Sequence, residues 1–272
     1  MSAIVIDGLR WEVRSRGAGR PLLLLHGFTG RGSSWGAHAT ALARRFRVAV
    51  VDLPGHGRSG YAAPARMSVG RTADDLATIL AHLGAGPAHV IGYSLGARIG
   101  LRLAVAHPAA VAGLVLESPS AGIENEAQRA ERRVADEALA TRLERDGIAD
   151  FVTAWERDPV FATHAALRPG VVARQRAIRL RSDAHGLAAS LRGAGQGAME
   201  PLFDRLRAVT SPTLVIAGAL DDRGRPRAET VARGIPGARL AVLDGIGHTP
   251  HLEHPARFRR LVLDFLQEVP AA

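Results

Sequence analysis

The sequence predicts an α/β fold, in which a mostly parallel central sheet is flanked by helices and a helical segment is inserted after the middle strands. Two observations carry this prediction. Short apolar runs typical of buried strands alternate with amphipathic helical patterns, the order expected for a parallel sheet covered on both faces. The alternation stops near residue 119 and resumes near residue 208, and the intervening residues contain no convincing strand pattern.

The elements before residue 119 follow one another closely. A hairpin is expected first, because two strand patterns flank an Asp-Gly turn at residues 7–8. The helix predicted at 69–83 has the clearest helical pattern, since its apolar residues share one face. The predicted strands are 4–6, 11–14, 22–25, 47–51, 88–91 and 113–116, and the predicted helices are 33–44, 69–83 and 97–106.

The later part of the chain returns to the same alternation. Strands are predicted at 213–217 and 239–243, and a helix at 255–267 ends the pattern. The segment between the two parts is rich in arginine and glutamate and predominantly helical. We therefore expect one core domain formed by residues 1–118 and 208–272, with residues 119–207 as a helical cap or lid.

The composition limits the possible partners. The formal net charge is +9, and arginine supplies it without any lysine. The arginines are interleaved with acidic residues and aromatic residues make up only 4%, so a nucleic-acid partner is not expected, whereas a small anionic substrate fits. The absence of cysteine excludes disulfides, thiolate metal sites and a cysteine nucleophile.

The sequence also gives expectations about location and cofactors. The first residues lack a basic region followed by an apolar stretch, and the longest aliphatic run, 22–25, is too short to span a bilayer. We therefore expect a cytoplasmic protein without membrane insertion. The sequence leaves the oligomeric state open between a monomer and a homodimer. No metal site is expected, because the sequence has no His-Glu-x-x-His pattern.

The most informative motif is Gly-Tyr-Ser-Leu-Gly at residues 92–96. It follows a predicted strand and precedes a predicted helix, the context in which a serine hydroxyl is exposed above the edge of a sheet. The glycines permit the tight turn, and the helix N-terminus favours negative charge that develops beside it. Ser94 is therefore the candidate reactive serine.

A reactive serine needs a base, and the base needs an acid that orients it; after this type of turn they follow in the order serine, acid, histidine. Asp221 and His248 each come just after a predicted strand. Asp222 is an alternative acid, and His251 and His254 are alternatives to His248. The Gly-x-x-Asp turn favours Asp221, and the Gly-x-Gly-His turn favours His248.

Two backbone N–H groups are candidates for stabilising an oxyanion. One belongs to Leu95, directly after the serine, and the other to Phe28, in the loop at 25–30 that follows a buried strand. A second loop, at 52–60, contains the Gly-x-Gly-x-x-Gly pattern of dinucleotide-binding proteins. Its Pro54 and the lack of a helix beginning at Gly60 argue against nucleotide binding.

Four motifs together resemble the α/β-hydrolase superfamily over essentially the full length of the chain. They are His-Gly-Phe-Thr-Gly at 26–30, Asp-Leu-Pro-Gly-His-Gly-Arg-Ser at 52–59, Gly-Tyr-Ser-Leu-Gly at 92–96 and Gly-His-x-x-His-x-Glu-x-Pro at 247–255. The resemblance implies the fold and not the reaction, because this superfamily carries many activities.

The chain is more specifically similar to the 2-succinyl-6-hydroxy-2,4-cyclohexadiene-1-carboxylate synthases of menaquinone biosynthesis. This similarity rests on Gly-Tyr-Ser-Leu-Gly-Ala-Arg at 92–98 and on residues 117–122, 128–136, 155, 159–162, 175–180 and 186–193. It implies a lyase that eliminates pyruvate without a cofactor. Ser94 and His248, held by Asp221, would then remove a ring proton instead of carrying out acyl transfer.

The same resemblance implies residues that bind the substrate. Planar guanidinium groups bind carboxylates through paired hydrogen bonds, which suits a substrate that carries several carboxylates. The implied carboxylate ligands are Arg98, Arg132 and Arg179, with Arg181 as an alternative to Arg179, and the implied pocket residues are Tyr93, Trp155 and His26.

The chain departs from the family pattern at two places. Relatives tend to have Lys-Phe after the acid where this chain has Arg223-Gly224, so an aromatic wall of the pocket is expected to be missing. Met199 replaces a glutamine, and Glu200 follows it, where its charge is expected to repel an anionic substrate. Two alternative functions stay open: a carboxylic-ester or carbon–carbon bond hydrolase with a serine nucleophile, and a ligand-binding protein without turnover.

Overall fold

The computed structural model describes residues 2–270 and confirms the predicted α/β fold. Its eight strands are β1 (Ser2–Ile6), β2 (Leu9–Arg16), β3 (Pro21–Leu25), β4 (Arg47–Asp52), β5 (Ala88–Tyr93), β6 (Val111–Glu117), β7 (Thr213–Gly218) and β8 (Arg239–Leu243). They form one sheet in the order β1-β2-β4-β3-β5-β6-β7-β8. β2 pairs antiparallel with β1 and β4, and the remaining neighbours pair in parallel.

The α-helices alternate with these strands. They are α1 (Gly36–Leu42), α2 (Val69–His82), α3 (Leu95–Ala106), α4 (Glu126–Trp155), α5 (Pro169–Arg179), α6 (Ala184–Ala194), α7 (Gly224–Gly234), α8 (Pro250–Glu253) and α9 (Pro255–Glu268). The helix predicted at 33–44 is interrupted, because a 3-10 turn over Gly32–Trp35 ends at Gly36, whose φ is +31°. None of the helices within residues 2–270 combines the length and apolar character needed to cross a bilayer.

The sheet is apolar on both faces, which explains why its central strands are continuous apolar runs. Successive side chains of a strand point to opposite faces. In β3, Leu23 and Leu25 therefore pack in one core with α2 and α3, while Leu22 and Leu24 pack in the other with α1 and α9. The carboxyl ends of the parallel strands meet at one edge of the sheet, below the inserted helices.

The inserted segment has a small apolar core of its own. α4 and α6 pack together around Ala140, Leu143, Phe151, Val152, Leu187, Ala188 and Leu191. Farther along, Met199, Leu202 and Leu206 are buried in the main core instead. We propose that the cap is confined to residues 126–194, and that the rest of the segment predicted as cap belongs to the core.

Candidate active site

Ser94 lies in a strained turn between β5 and α3. Its φ is +51°, a value that residues other than glycine rarely adopt. The turn is so tight that a Cβ at Gly92 would collide with the backbone of Gly96, and one at Gly96 with the backbone of Leu25. The two glycines of the motif are therefore needed for this turn, which places Ser94 directly before the first residue of α3.

Ser94, His248 and Asp221 are connected in series. His248 Nε2 lies 3.2 Å from Ser94 Oγ, and His248 Nδ1 lies 2.6 Å from Asp221 Oδ2. The other carboxylate oxygen of Asp221 accepts the Gly224 N–H at 2.9 Å. This arrangement can move a proton from the hydroxyl to the imidazole and stabilise the imidazolium that results.

The electrostatics of this series favour an ionised acid. Burial is the largest single influence and acts to raise the pKa of Asp221. The hydrogen bond and charge of His248, the Gly224 N–H and the charge of Arg227 together outweigh burial, and the pKa of this carboxyl lies below its ordinary value. The carboxylate is thus charged at neutral pH and holds one tautomer of His248, with the proton on Nδ1.

The alternative acid and histidines lie in other environments. Asp222 is exposed, whereas Asp221 is buried. His251 donates its backbone N–H and Nδ1 to one buried oxygen of Glu117, each at 2.8 Å. His254 accepts a backbone N–H at the start of α9. The structure therefore brings Asp221 and His248, and none of the three alternatives, to Ser94.

Two residues that the sequence analysis did not single out hold the His248 loop. Glu253 accepts the N–H groups of Gly247 and Thr249, at 2.7 and 3.0 Å. Ser118 donates its hydroxyl to the backbone oxygen of His248 at 2.9 Å. The sequence signal for Glu253 is the glutamate five residues after the histidine; Ser118 has no comparable signal.

The two candidate oxyanion donors border the same cavity as the serine. Phe28 and Leu95 both line it beside Ser94. Within the described residues, neither backbone N–H donates to a protein acceptor, so both are available to a ligand. Both N–H groups therefore stay candidates for binding a negatively charged oxygen next to Ser94.

The cavity lies between the core and the cap and has a volume of about 360 Å³. This volume is within the range of sites for small organic ligands. Its wall carries arginines from both parts of the molecule and several aromatic side chains. Those that line it are Arg98, Arg132, Arg223 and Arg227, and Phe28, Tyr93, Trp155 and Phe161.

Two of the implied carboxylate ligands reach this cavity. Arg98 is buried, and one guanidinium nitrogen donates to the backbone oxygen of Ala194 at 2.8 Å. Burial, followed by the nearby charge of Arg132, lowers the pKa of Arg98 to about 10, so it stays charged at neutral pH. Arg132 pairs with Asp136 on α4 at 2.8 Å.

Arg179 and Arg181 do not line the main cavity. Arg179 pairs with Glu156 at 3.0 Å, lies over the Phe161 ring and borders a separate small cavity of about 40 Å³. Arg181 is exposed, and its backbone oxygen accepts a hydrogen bond from Arg31. Neither guanidinium lies where the resemblance implied a carboxylate ligand.

His26, which the resemblance implied as a pocket residue, does not line the main cavity. It is buried, its Nδ1 bonds the Gly27 oxygen at 2.8 Å, and its Nε2 accepts the Leu53 N–H at 3.0 Å. Both ring nitrogens are thus occupied by backbone. The second loop is held further by Asp52, which accepts the Gly32 and Arg58 N–H groups, so this loop supports the oxyanion loop.

The expected repulsion by Glu200 is wrong. Glu200 is exposed and pairs with Arg102 at 3.2 Å, while Met199 is buried in the main core. Gln196 lines the cavity instead, and its buried side-chain oxygen has no hydrogen-bond partner among the described residues. At the other departure, Gly224 lines the cavity, and a Cβ added at this position would collide with the carboxylate of Asp221.

The described residues contain no group of three or more histidine, aspartate or glutamate side chains placed to hold a metal ion. The groups that converge at the cavity are instead a hydroxyl, an imidazole, a carboxylate, backbone N–H donors and guanidinium groups. Together they can transfer a proton, stabilise an oxyanion and bind carboxylates.

Residues 20–255 match the model of the α/β-hydrolase fold family, and the chain belongs to this family. Within it, the chain is 35% identical over 270 residues to a Bacillus subtilis protein provisionally named 2-succinyl-6-hydroxy-2,4-cyclohexadiene-1-carboxylate synthase, and the match covers 97% of each. It is 34% identical over 243 residues to the synthase of that name from Salmonella paratyphi C, covering 86% of this chain and 89% of the relative.

Solved structures give the same picture of the fold. MenH from S. aureus is 31% identical and superimposes with a TM-score of 0.90, over 95% of this chain and 98% of the other. A hydrolase from Pseudomonas aeruginosa PA01 is 33% identical, with a TM-score of 0.83 over 97% of both chains. Similarity at this level extends to proteins described as synthases and to one described as a hydrolase.

Proposed function

We propose that this protein is a lyase of menaquinone biosynthesis. Its reaction would eliminate pyruvate from 2-succinyl-5-enolpyruvyl-6-hydroxy-3-cyclohexene-1-carboxylate and give 2-succinyl-6-hydroxy-2,4-cyclohexadiene-1-carboxylate. The observation that carries the proposal is the series Ser94–His248–Asp221 opening into a cavity with arginines from both core and cap. Such a cavity suits a substrate with carboxylates on its ring, succinyl and enolpyruvyl groups.

The bond changes follow from the structures of substrate and product. His248 accepts the hydroxyl proton of Ser94, and the serine oxygen removes the proton on ring carbon 2, which the neighbouring succinyl ketone acidifies. The released electron pair forms the C2–C3 double bond, the ring double bond moves to C4–C5, and the C5–O bond breaks. Pyruvate leaves as its enolate and takes the proton from His248.

The other groups of the site stabilise charge during these steps. Proton removal places negative charge on the succinyl ketone oxygen, and the N–H groups of Phe28 and Leu95 are placed to stabilise it. Asp221 stabilises the imidazolium of His248. Arg98 and Arg132 bind carboxylates, and Tyr93 and Trp155 line the pocket. No covalent intermediate and no cofactor are needed.

A hydrolase is the second candidate, and two observations favour it. The similarity to a P. aeruginosa hydrolase is as high as that to several synthases. The same hydroxyl and oxyanion donors would also suit nucleophilic attack on a neutral ester. In that case the arginines of the cavity would have no role in the reaction.

Pyruvate release tests the proposal. The enolpyruvyl substrate is generated in situ, and pyruvate and diene absorbance are followed with the wild type and with Ser94→Ala, using a short-chain nitrophenyl ester as control. We expect rapid pyruvate release that depends on Ser94, with weak ester cleavage. Brisk ester cleavage without pyruvate release would establish the hydrolase instead.

A further inference from the structure

Arg227 lines the main cavity, and no ion pair within the described residues accounts for its charge there. It lies in the first turn of α7, directly after the loop that carries Asp221. Its side chain is exposed at the cavity wall. Arg225, on the same turn, pairs with Glu229 at 2.8 Å, whereas Arg227 has no carboxylate partner within salt-bridge distance among residues 2–270.

The position of Arg227 is electrostatically unfavourable in the protein alone. The N-terminus of a helix carries partial positive charge and favours acidic residues, yet the first turn of α7 contains none. Across the cavity, Arg98 and Arg132 add further positive charge near Arg227. Asp221, the acid whose charge acts on Arg227, is already hydrogen-bonded to His248. An anion in the cavity would relieve this repulsion.

We propose that Arg227 binds a carboxylate of the substrate, on the α7 side of the cavity. Gly224 and Arg223, which precede Arg227 in the chain, line the same side of the cavity. The inference rests on the proposed function, because it concerns the same cavity and a substrate with several carboxylates. Arg227 would then have the carboxylate-binding role that the resemblance implied for Arg179. The guanidinium of Arg179 pairs with Glu156 outside this cavity.

The neighbours of Arg227 support this role. Partial burial, followed by the charges of Arg132 and Arg223, lowers the pKa of Arg227, while Asp221 acts in the opposite direction. Arg223 also lines the cavity, but Arg227 is the one that influences the pKa of the buried Arg98. Arg227 of the core and Arg132 of the cap would then bind separate carboxylates of one substrate, in the cavity that Ser94 and His248 also line.

The test uses tricarballylate, a stable tricarboxylate, and its neutral trimethyl ester, with binding measured by calorimetry. Arg227→Gln is compared with Arg225→Gln, a matched change on the exposed side of the same turn, and thermal unfolding checks that both variants are folded. We expect Arg227→Gln to weaken tricarballylate binding about tenfold to a hundredfold, the loss typical of a hydrogen-bonded ion pair. Arg225→Gln should bind like the wild type, and neither change should alter binding of the ester.

Equal tricarballylate affinity in wild type and Arg227→Gln would overturn the inference, and so would the absence of tricarballylate binding to the wild type. Pyruvate release, measured on the same samples, separates this inference from the proposed function. If Arg227→Gln loses affinity for tricarballylate and the wild type releases no pyruvate, the carboxylate site is supported and the lyase reaction is contradicted. If the wild type and Arg227→Gln both release pyruvate efficiently with the same KM, the lyase reaction is supported and the carboxylate site at Arg227 is contradicted.

Discussion

At the scale of single residues, the contact between Asp221 and His248 distinguishes Asp221 from Asp222 as the proposed acid. The two carboxylates of the Asp-Asp pair are adjacent in sequence, but only Asp221 is buried and bonded to the imidazole. We predict that Asp221→Asn lowers kcat roughly a hundredfold to ten-thousandfold, because the amide stabilises the wrong tautomer and no imidazolium. Asp222→Asn is the matched control, and steady-state kinetics should show little change; equal losses would contradict the assignment.

Arg98 separates the two candidate reactions. Its guanidinium is buried at the cavity wall, while Arg102, one turn later on α3, pairs with Glu200 at the surface. We predict that Arg98→Ala lowers kcat/KM for the polycarboxylate substrate at least about tenfold, by removing a charge-assisted contact. Cleavage of a neutral ester should fall much less, and Arg102→Ala should affect neither.

The outcome for Arg98→Ala would be read from the ratio of the two activities. Equal losses on the charged and neutral substrates would mean that Arg98 stabilises the structure of the site, for example through its hydrogen bond to Ala194. That result would contradict the proposal that Arg98 binds a carboxylate.

The sequence predicted Ser94, Asp221 and His248 because each stands in a short turn motif after a strand, where local residues determine the position. The arginines could be predicted less well. Whether Arg179 or Arg227 faces the cavity depends on how the cap helices pack over the core, which involves residues far apart in sequence. The Arg-x-x-x-Arg spacing of residues 223 and 227 was an available signal, since it places both on one helical face.

At the scale of elements, the turn between β8 and α8 is held by the Glu253 carboxylate and by the Ser118 hydroxyl. Glu253 satisfies the backbone N–H groups on both sides of His248. We predict that Glu253→Ala destabilises the protein by about 1–3 kcal/mol, because three donors, the N–H groups of Gly247 and Thr249 and the Thr249 hydroxyl, lose their acceptor. It should also lower kcat, since the imidazole loses its fixed position; chemical denaturation and pyruvate release measure the two effects.

The conservative change Glu253→Gln is the control for that prediction. The amide keeps one acceptor oxygen for the loop, so we expect a smaller loss of both stability and activity. If the alanine and glutamine variants behave alike, the carboxylate does not hold the loop as described.

The strands and helices of the core were predicted closely, and the differences have local causes. β8 was predicted with the observed bounds, and most others differ by one or two residues at their ends. The end of the cap was harder to place, because residues 199–207 have a helical pattern but pack on the core. The sequence pattern of a helix shows which face is apolar, but the element that this face packs against depends on the tertiary structure.

At the scale of the whole molecule, buried histidines make stability depend on pH. Burial lowers the pKa of His26 and His89 to about 4, and of His38 and His56 to about 3, against an ordinary value of 6.5. Below pH 6.5 the unfolded chain therefore binds more protons than the folded one, and stability falls as the pH falls. We predict a clear loss between pH 7 and 5, up to about 1.4 kcal/mol per histidine per pH unit.

Urea denaturation at both pH values measures this loss. His89→Asn should reduce the difference between pH 7 and 5, because one buried titrating group is removed. His82→Gln, at an exposed position, should leave the difference unchanged. A midpoint that does not move between pH 7 and 5 would contradict the account of the buried histidines.

The cavity depends on both parts of the molecule, since the core supplies the hydroxyl, imidazole and carboxylate and the cap supplies Arg132 and Trp155. The central claim is that these groups remove a ring proton. The most direct measurement is kcat/KM for pyruvate release from substrate carrying deuterium on ring carbon 2. We predict that the deuterated substrate reacts severalfold more slowly and that Ser94 carries no adduct by intact mass. Equal rates for both substrates together with an acyl group on Ser94 would contradict the account.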